Sequence, residues 1–134
     1  MTEPLQPHTL APYQMRRVVL ESPFAGRSKI PLVRCFQQRR NIRYARACIR
    51  DSLLRGEAPI ASHLLYTQPG ILIDTNKLER SHGINAGHAW LFGDLAGVVV
   101  YTDLGISSGM HAGIGSASIH HVPVEYRRLA GWVL

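Results

Sequence analysis

Between Val98 and Tyr126 the chain reads VVVYTDLGISSGMHAGIGSASIHHVPVEY: an apolar run, a small-residue turn, a helical stretch and a second apolar run. Val98, Val99, Val100 and Tyr101 are apolar without alternation, the pattern of a strand covered on both faces. Asp103 stands where that strand ends. Gly105, Ser107, Ser108 and Gly109 then make a turn rich in free backbone N–H groups, opening into a helix whose N-terminus carries partial positive charge. A strand, a turn of this kind, a helix and another strand make half of a nucleotide-binding α/β sheet.

The remaining chain extends the same alternation. Residues 1–15 contain prolines and polar residues and are expected to form an N-terminal arm. Residues 16–134 are expected to form a single domain. Arg17–Glu21 reads as the first strand, Ser22–Arg39 as a long connection, Asn41–Leu54 as a helix and Pro59–Leu65 as a second strand. A helix from Thr75 or Lys77 to Phe92, a strand at Val98–Thr102, a helix at Ser108–Ile119 and a last strand at Val122–Tyr126 complete the series. Alternating β and α elements imply an α/β three-layer sandwich of the flavodoxin or Rossmann-like kind with about four parallel strands, and the order expected by likeness to flavodoxin-like folds is 2-1-3-4. Ligands of such sheets lie outside the carboxyl ends of the strands where the order reverses. Those ends are Ser22-Pro23-Phe24 and Thr102-Asp103 with the following turn.

Composition bounds the alternatives. A chain of 134 residues with 46% hydrophobic content is long enough for one real core and too apolar for disorder. No apolar run reaches the ~20 residues needed to span a bilayer, and the N-terminus lacks the layout of a secretory signal. A soluble cytoplasmic protein with no membrane partner is expected. The two cysteines, Cys35 and Cys48, fit neither a zinc pattern nor a redox pair. The seven histidines include no HExxH arrangement, so neither a metal nor a cofactor is expected. The net charge of +6 is concentrated: eleven basic residues against Glu21 and Asp51 lie between Arg16 and Arg55. On the helix expected there, Ile42, Ala45, Ile49 and Leu53 form an apolar stripe, and Arg39, Arg43, Arg46 and Arg50 line another face. A phosphorylated small molecule, a nucleic acid or an acidic protein would suit that potential. Nucleic acid is not the favoured reading, because neither interleaved aromatics nor a recognisable recognition module accompanies the arginines.

The order of motifs resembles the nucleoside 2-deoxyribosyltransferase family. The residues that carry the resemblance are Ser22-Pro23-Phe24, Asn41 with Tyr44-Ala45, Arg80 with Gly83-Ile84, Asp103, Gly109-Met110 with Gly113-Ile114-Gly115-Ser116-Ala117, and Pro123-Val124-Glu125. The resemblance implies a homo-oligomer in which a neighbour's C-terminal segment, here Leu129, Trp132, Val133 and Leu134, closes the site. It also exposes a departure. The family's nucleophilic Glu falls at Gly113, which has no side chain to attack an anomeric carbon. Either another carboxylate has taken over, with Glu125, Asp74 and Glu79 as candidates, or the fold has kept its ligand and lost the reaction.

The second option is the favoured expectation: a non-catalytic protein that sequesters a nucleotide-derived signal of the ADP-ribose or cyclic-nucleotide type, as a phage anti-defence sponge acting in the host cytoplasm would. The alternative is a deoxyribosyltransferase or N-glycoside hydrolase. The expected ligand-binding residues are Ser22, Pro23, Phe24, Arg27, Asp103, Gly105, Ser107, Ser108, Gly109, Met110 and His111. Asp103 suits hydrogen bonds from a ribose or base edge and suits equally the dipole of a helix N-terminus. Phe24 can stack on a base or join the core. Arg27, with Lys29 and Arg34, lies in the long connection where a phosphate clamp is expected. His111 follows the turn beside the vacated position, and His63 lies towards the end of the second strand.

Overall fold

In the computed structural model, which describes residues 6–132, four parallel strands form one sheet. They are β1 (Arg16–Glu21), β2 (Glu57–Ile60), β3 (Gly97–Tyr101) and β4 (Val124–Arg127), in the order β2-β1-β3-β4. Val19 pairs with Ile60 on one side and Val98 on the other, and Val100 pairs with Tyr126. The central strands are apolar on both faces for a reason visible in the helices. On one face Val18, Leu20, Val99 and Tyr101 pack against Tyr44, Ala45 and Cys48 of α1 (Pro31–Leu54). On the other, Val19, Val98 and Val100 pack against Met110 and Ala117 of α4 (Ser108–Ile119). This is the expected α/β sandwich with the expected strand order.

Several local expectations are corrected. Helix α1 starts at Pro31, not at Asn41, so the connection after β1 ends at Ile30. Proline at the first helical position has no N–H to waste and a φ already suited to helix. The first turns bury no apolar side chain, Leu32 being 67% and Phe36 60% exposed, so burial periodicity gave no sign of them. Three residues of the expected stripe face the core, Ala45 buried and Ile42 and Ile49 partly buried against it, but the buried face is centred on Asn41, Tyr44, Cys48 and Ser52, and Leu53 is exposed.

The second strand ends at Ile60, and Ser62–Leu65 forms a single helical turn, α2. Leu64 is buried and Leu65 exposed, a difference that helical geometry explains as well as strand alternation would. Pro59 is tolerated because β2 is an edge strand. Helix α3 spans Lys77–Ala89 and is capped by Asn76, whose side chain accepts from the Leu78 and Glu79 amides. Ahead of β1 lie two short 3-10 turns, Pro7–Thr9 and Pro12–Gln14.

Leu129 and Trp132 do not project from the molecule. Both pack against the α1 face, where the Trp132 ring lies 4.9 Å from that of Tyr44 and the Arg43 guanidinium lies 5.8 Å from Trp132. Val133 and Leu134 lie outside the described residues.

Candidate functional site

The carboxyl end of β1, the first turn of α4 and the facing sides of α2 and α3 enclose a cavity of about 300 Å³, at the small end of the range for small-molecule sites. Seven of the expected residues line it: Ser22, Phe24, Arg27, Ser107, Ser108, Gly109 and Met110. Ser107 caps α4 by accepting from the Met110 amide at 3.3 Å. Ser108 and Gly109 belong to the first turn, where backbone N–H groups have no helical acceptor. Arg27 stands at the exposed rim and donates to the Ile106 carbonyl at 3.3 Å, joining the loop after β1 to the loop after β3.

Four expected residues lie elsewhere. Pro23 lines a smaller hollow of about 80 Å³ with Gln37, Arg40 and Asn41. Gly105 forms the turn at φ +81°, a conformation glycine adopts without strain. His111 is exposed and outside the cavity. Asp103 is committed to the α1 side: Tyr44 donates its hydroxyl to the carboxylate, and the Leu129 amide donates to it at 3.0 Å. Of the basic residues proposed for a phosphate clamp, Arg27 alone reaches the rim, and Arg80 of α3 joins it there. The arginines of α1 do not line this cavity. Asp74 and Glu79 do, so the walls carry both signs of charge. Glu125 is exposed at the other edge of the sheet and paired with Arg127.

The residue that sequence reasoning missed is Glu21. It ends β1 on the face of Val19, lines the cavity and makes no side-chain hydrogen bond or ion pair among the described residues. Gly113 shows what its carboxyl occupies. A Cβ built at position 113 would lie 2.8 Å from the Glu21 Cδ and closer still to Oε1. The space where a side chain at 113 would begin is therefore filled by a carboxyl arriving from the sheet. One signal was available in the sequence: an acid ending an apolar strand, directly before the Ser-Pro motif.

Burial pushes the Glu21 carboxyl from its ordinary 4.5 up to about 8. Beside it, Ser22 and the His63 Nε2 are 2.8 Å apart, and burial lowers His63 from 6.5 to about 4, so the imidazole is neutral. These shifts have opposite consequences for stability. The folded chain holds the Glu21 proton more tightly than the unfolded chain, and holds a proton on His63 less tightly. Between about pH 4.5 and 6.5 the two differences cancel. From 6.5 to about 8 only the Glu21 difference remains, so stability is expected to fall as pH rises by roughly 1.4 kcal/mol per unit. Urea unfolding midpoints should decline across that window in the natural chain and stay level in Glu21→Gln. A level midpoint in both would mean that the carboxyl is solvated.

Residues 16–127 match the family model described as Domain of unknown function (DUF7768). No curated protein and no solved structure matches the chain.

Proposed function

The chain belongs to the DUF7768 family, and for the crevice of this member we propose a nucleoside or nucleoside monophosphate as ligand, with Glu21 acting at its N-glycosidic bond. The observation that carries this reading is the uncommitted Glu21 carboxyl in the space beside Gly113. The deoxyribosyltransferase-like motifs call for a carboxylate at that place, and the strand supplies it where the helix does not. This favours the enzymatic alternative over simple loss of reaction.

The crevice suits a small, weakly charged ligand. Arg27 and Arg80 are set against Asp74 and Glu79 at its walls, so the excess positive charge of the chain does not bear on it. A ligand with several phosphates, such as ADP-ribose, is less well matched than a nucleoside. Phe24 and Leu72 offer apolar surface for a base, and the Ser108 and Gly109 amides offer donors to a sugar hydroxyl or a single phosphate.

In the reaction, an ionised Glu21 oxygen bonds to the anomeric carbon as the carbon–nitrogen bond breaks. The base leaves with that electron pair and takes a proton from water. An acceptor base or a water molecule then displaces Glu21, which returns to its carboxylate form. Since only the carboxylate attacks, turnover is expected to rise as pH increases through about 8. A second reading, sequestration without chemistry, draws on the same shift: a protonated Glu21 at neutral pH is a hydrogen-bond donor and not a nucleophile.

One experiment separates the two. The protein is incubated with purine and pyrimidine deoxynucleosides and their monophosphates across this pH range, and the mixture is resolved by mass spectrometry. Free base released, or exchanged between nucleosides, with a rate rising towards alkaline pH supports the enzymatic reading. Intact ligand recovered at every pH from a protein that retains it supports sequestration. Neither retention nor conversion of any compound overturns the nucleoside assignment.

A further inference from the structure

The arginines that the crevice leaves unused lie on α1 in one line. Arg39, Arg43, Arg46 and Arg50 are all exposed and follow one another at intervals of four, three and four residues, which places them on one helical face. At 1.5 Å per residue the row extends about 16 Å. None of the four makes an ion pair with a carboxylate among the described residues, whereas Arg16, Arg55 and Arg127 all do. Continuing the same line towards the N-terminus reaches Phe36 and then Leu32, which are 60% and 67% exposed. A row of guanidiniums ending in an accessible aromatic ring is more than a solvated helix face requires.

We propose that this face of α1 is a binding surface for single-stranded nucleic acid, with the arginine row along the phosphates and Phe36 stacking on a base.

Three observations select that partner. A second copy of this chain is disfavoured, since docking the face on itself would set arginine against arginine. The row matches a linear polyanion, whose charges recur along one direction, better than a compact anion. An exposed Phe beside the row is a stacking platform, which an unpaired base can reach and a paired one cannot. With the arginines engaged along the phosphates, the face presents no amide to read base edges: Asn41, the one amide of the helix centre, is buried and donates to the Phe24 and Ala25 carbonyls. Binding is therefore tolerant of sequence. The surface lies on the side of the sheet opposite α4, and its test is independent of the crevice chemistry.

The test uses the full chain and a labelled oligothymidylate of about 20 nucleotides, longer than a typical ~4–16-nucleotide site, with anisotropy read as salt is varied. The natural protein is expected to bind with an affinity falling steeply with salt. The Arg39→Gln, Arg46→Gln, Arg50→Gln triple variant keeps Arg43, which packs on Trp132, and so keeps the fold; circular dichroism verifies this. Its salt slope should be shallower by about 2, since each phosphate contact on a single strand contributes ~0.7. Phe36→Ala should weaken binding by roughly tenfold with the slope unchanged. The proposal is overturned by a folded triple variant with the parental affinity and slope, or by duplex DNA binding as tightly as the single strand with Phe36→Ala indifferent. Polyglutamate competing as well as the oligonucleotide would also overturn it, identifying an acidic protein surface instead.

Discussion

Glu21→Gln is expected to lower conversion of a nucleoside by at least roughly 10³-fold, the scale on which loss of a nucleophile is felt, while the fold stays intact. Glutamine matches the protonated carboxyl in shape and neutrality, so thermal unfolding should equal that of the natural chain below about pH 4.5, where Glu21 is protonated in both folded and unfolded states, and should occur at higher temperature near neutral pH, where folding of the variant takes up no proton at this position. The position of the carboxyl can be probed separately from its chemistry. Gly113→Glu places a second side chain in the volume that Glu21 fills and is expected to destabilise the chain by roughly 1–3 kcal/mol. In a Glu21→Ala background the same change finds the space empty. The double variant should then be more stable than the sum of the two changes predicts, by roughly 0.5–3 kcal/mol, as for residues in direct contact. It should also recover part of the lost conversion. Strictly additive losses, measured by urea unfolding, would show that the two positions do not share this space.

Arg127→Ala carries the largest expected effect on stability. Arg127 is buried and donates to both carboxylate oxygens of Glu57, at 2.6 and 2.7 Å, and Ser52 donates to Glu57 at 2.8 Å. Burial alone would raise the Glu57 pKa, but the guanidinium and the Ser52 hydroxyl outweigh it and hold the carboxyl below its ordinary value. Removing Arg127 leaves the buried Glu57 carboxylate with only the Ser52 hydroxyl and the exposed Arg16 guanidinium, 3.6 Å away, to offset its charge, at a cost of roughly 3–5 kcal/mol. That is a large share of the ~5–15 kcal/mol that holds a domain together. Arg127→Lys is expected to recover only part of the loss, because the ammonium lacks the planar fork that meets both Glu57 oxygens while also reaching Glu125. The paired change Glu57→Gln with Arg127→Met should be far milder than either partner's removal alone. A loss under about 1 kcal/mol on urea titration of Arg127→Ala would mean that water reaches Glu57.

The sequence by itself determined the parallel sandwich, and likeness to flavodoxin-like folds supplied the strand order. The apolar run at Val98–Tyr101 demanded cover on both faces, and the alternation of elements left parallel pairing as the way to provide it. It also marked where the cavity opens, because Ser22, Phe24 and the Ser107–Met110 turn end the two strands at which the order reverses. Local chemistry was enough for both, since strands and turns are written in neighbouring residues. The tertiary structure alone decided which of these groups face the crevice. Asp103 looked like a ligand to ribose, yet folding brings Tyr44 of a distant helix to its carboxylate and turns it away. The first turns of α1 escaped notice because they bury nothing, and burial is what makes a helix legible. Glu21 and Gly113 are ninety-two positions apart, so a carboxyl standing in the space of a missing side chain has no signature along the chain. It exists only because β1 and α4 pack against each other.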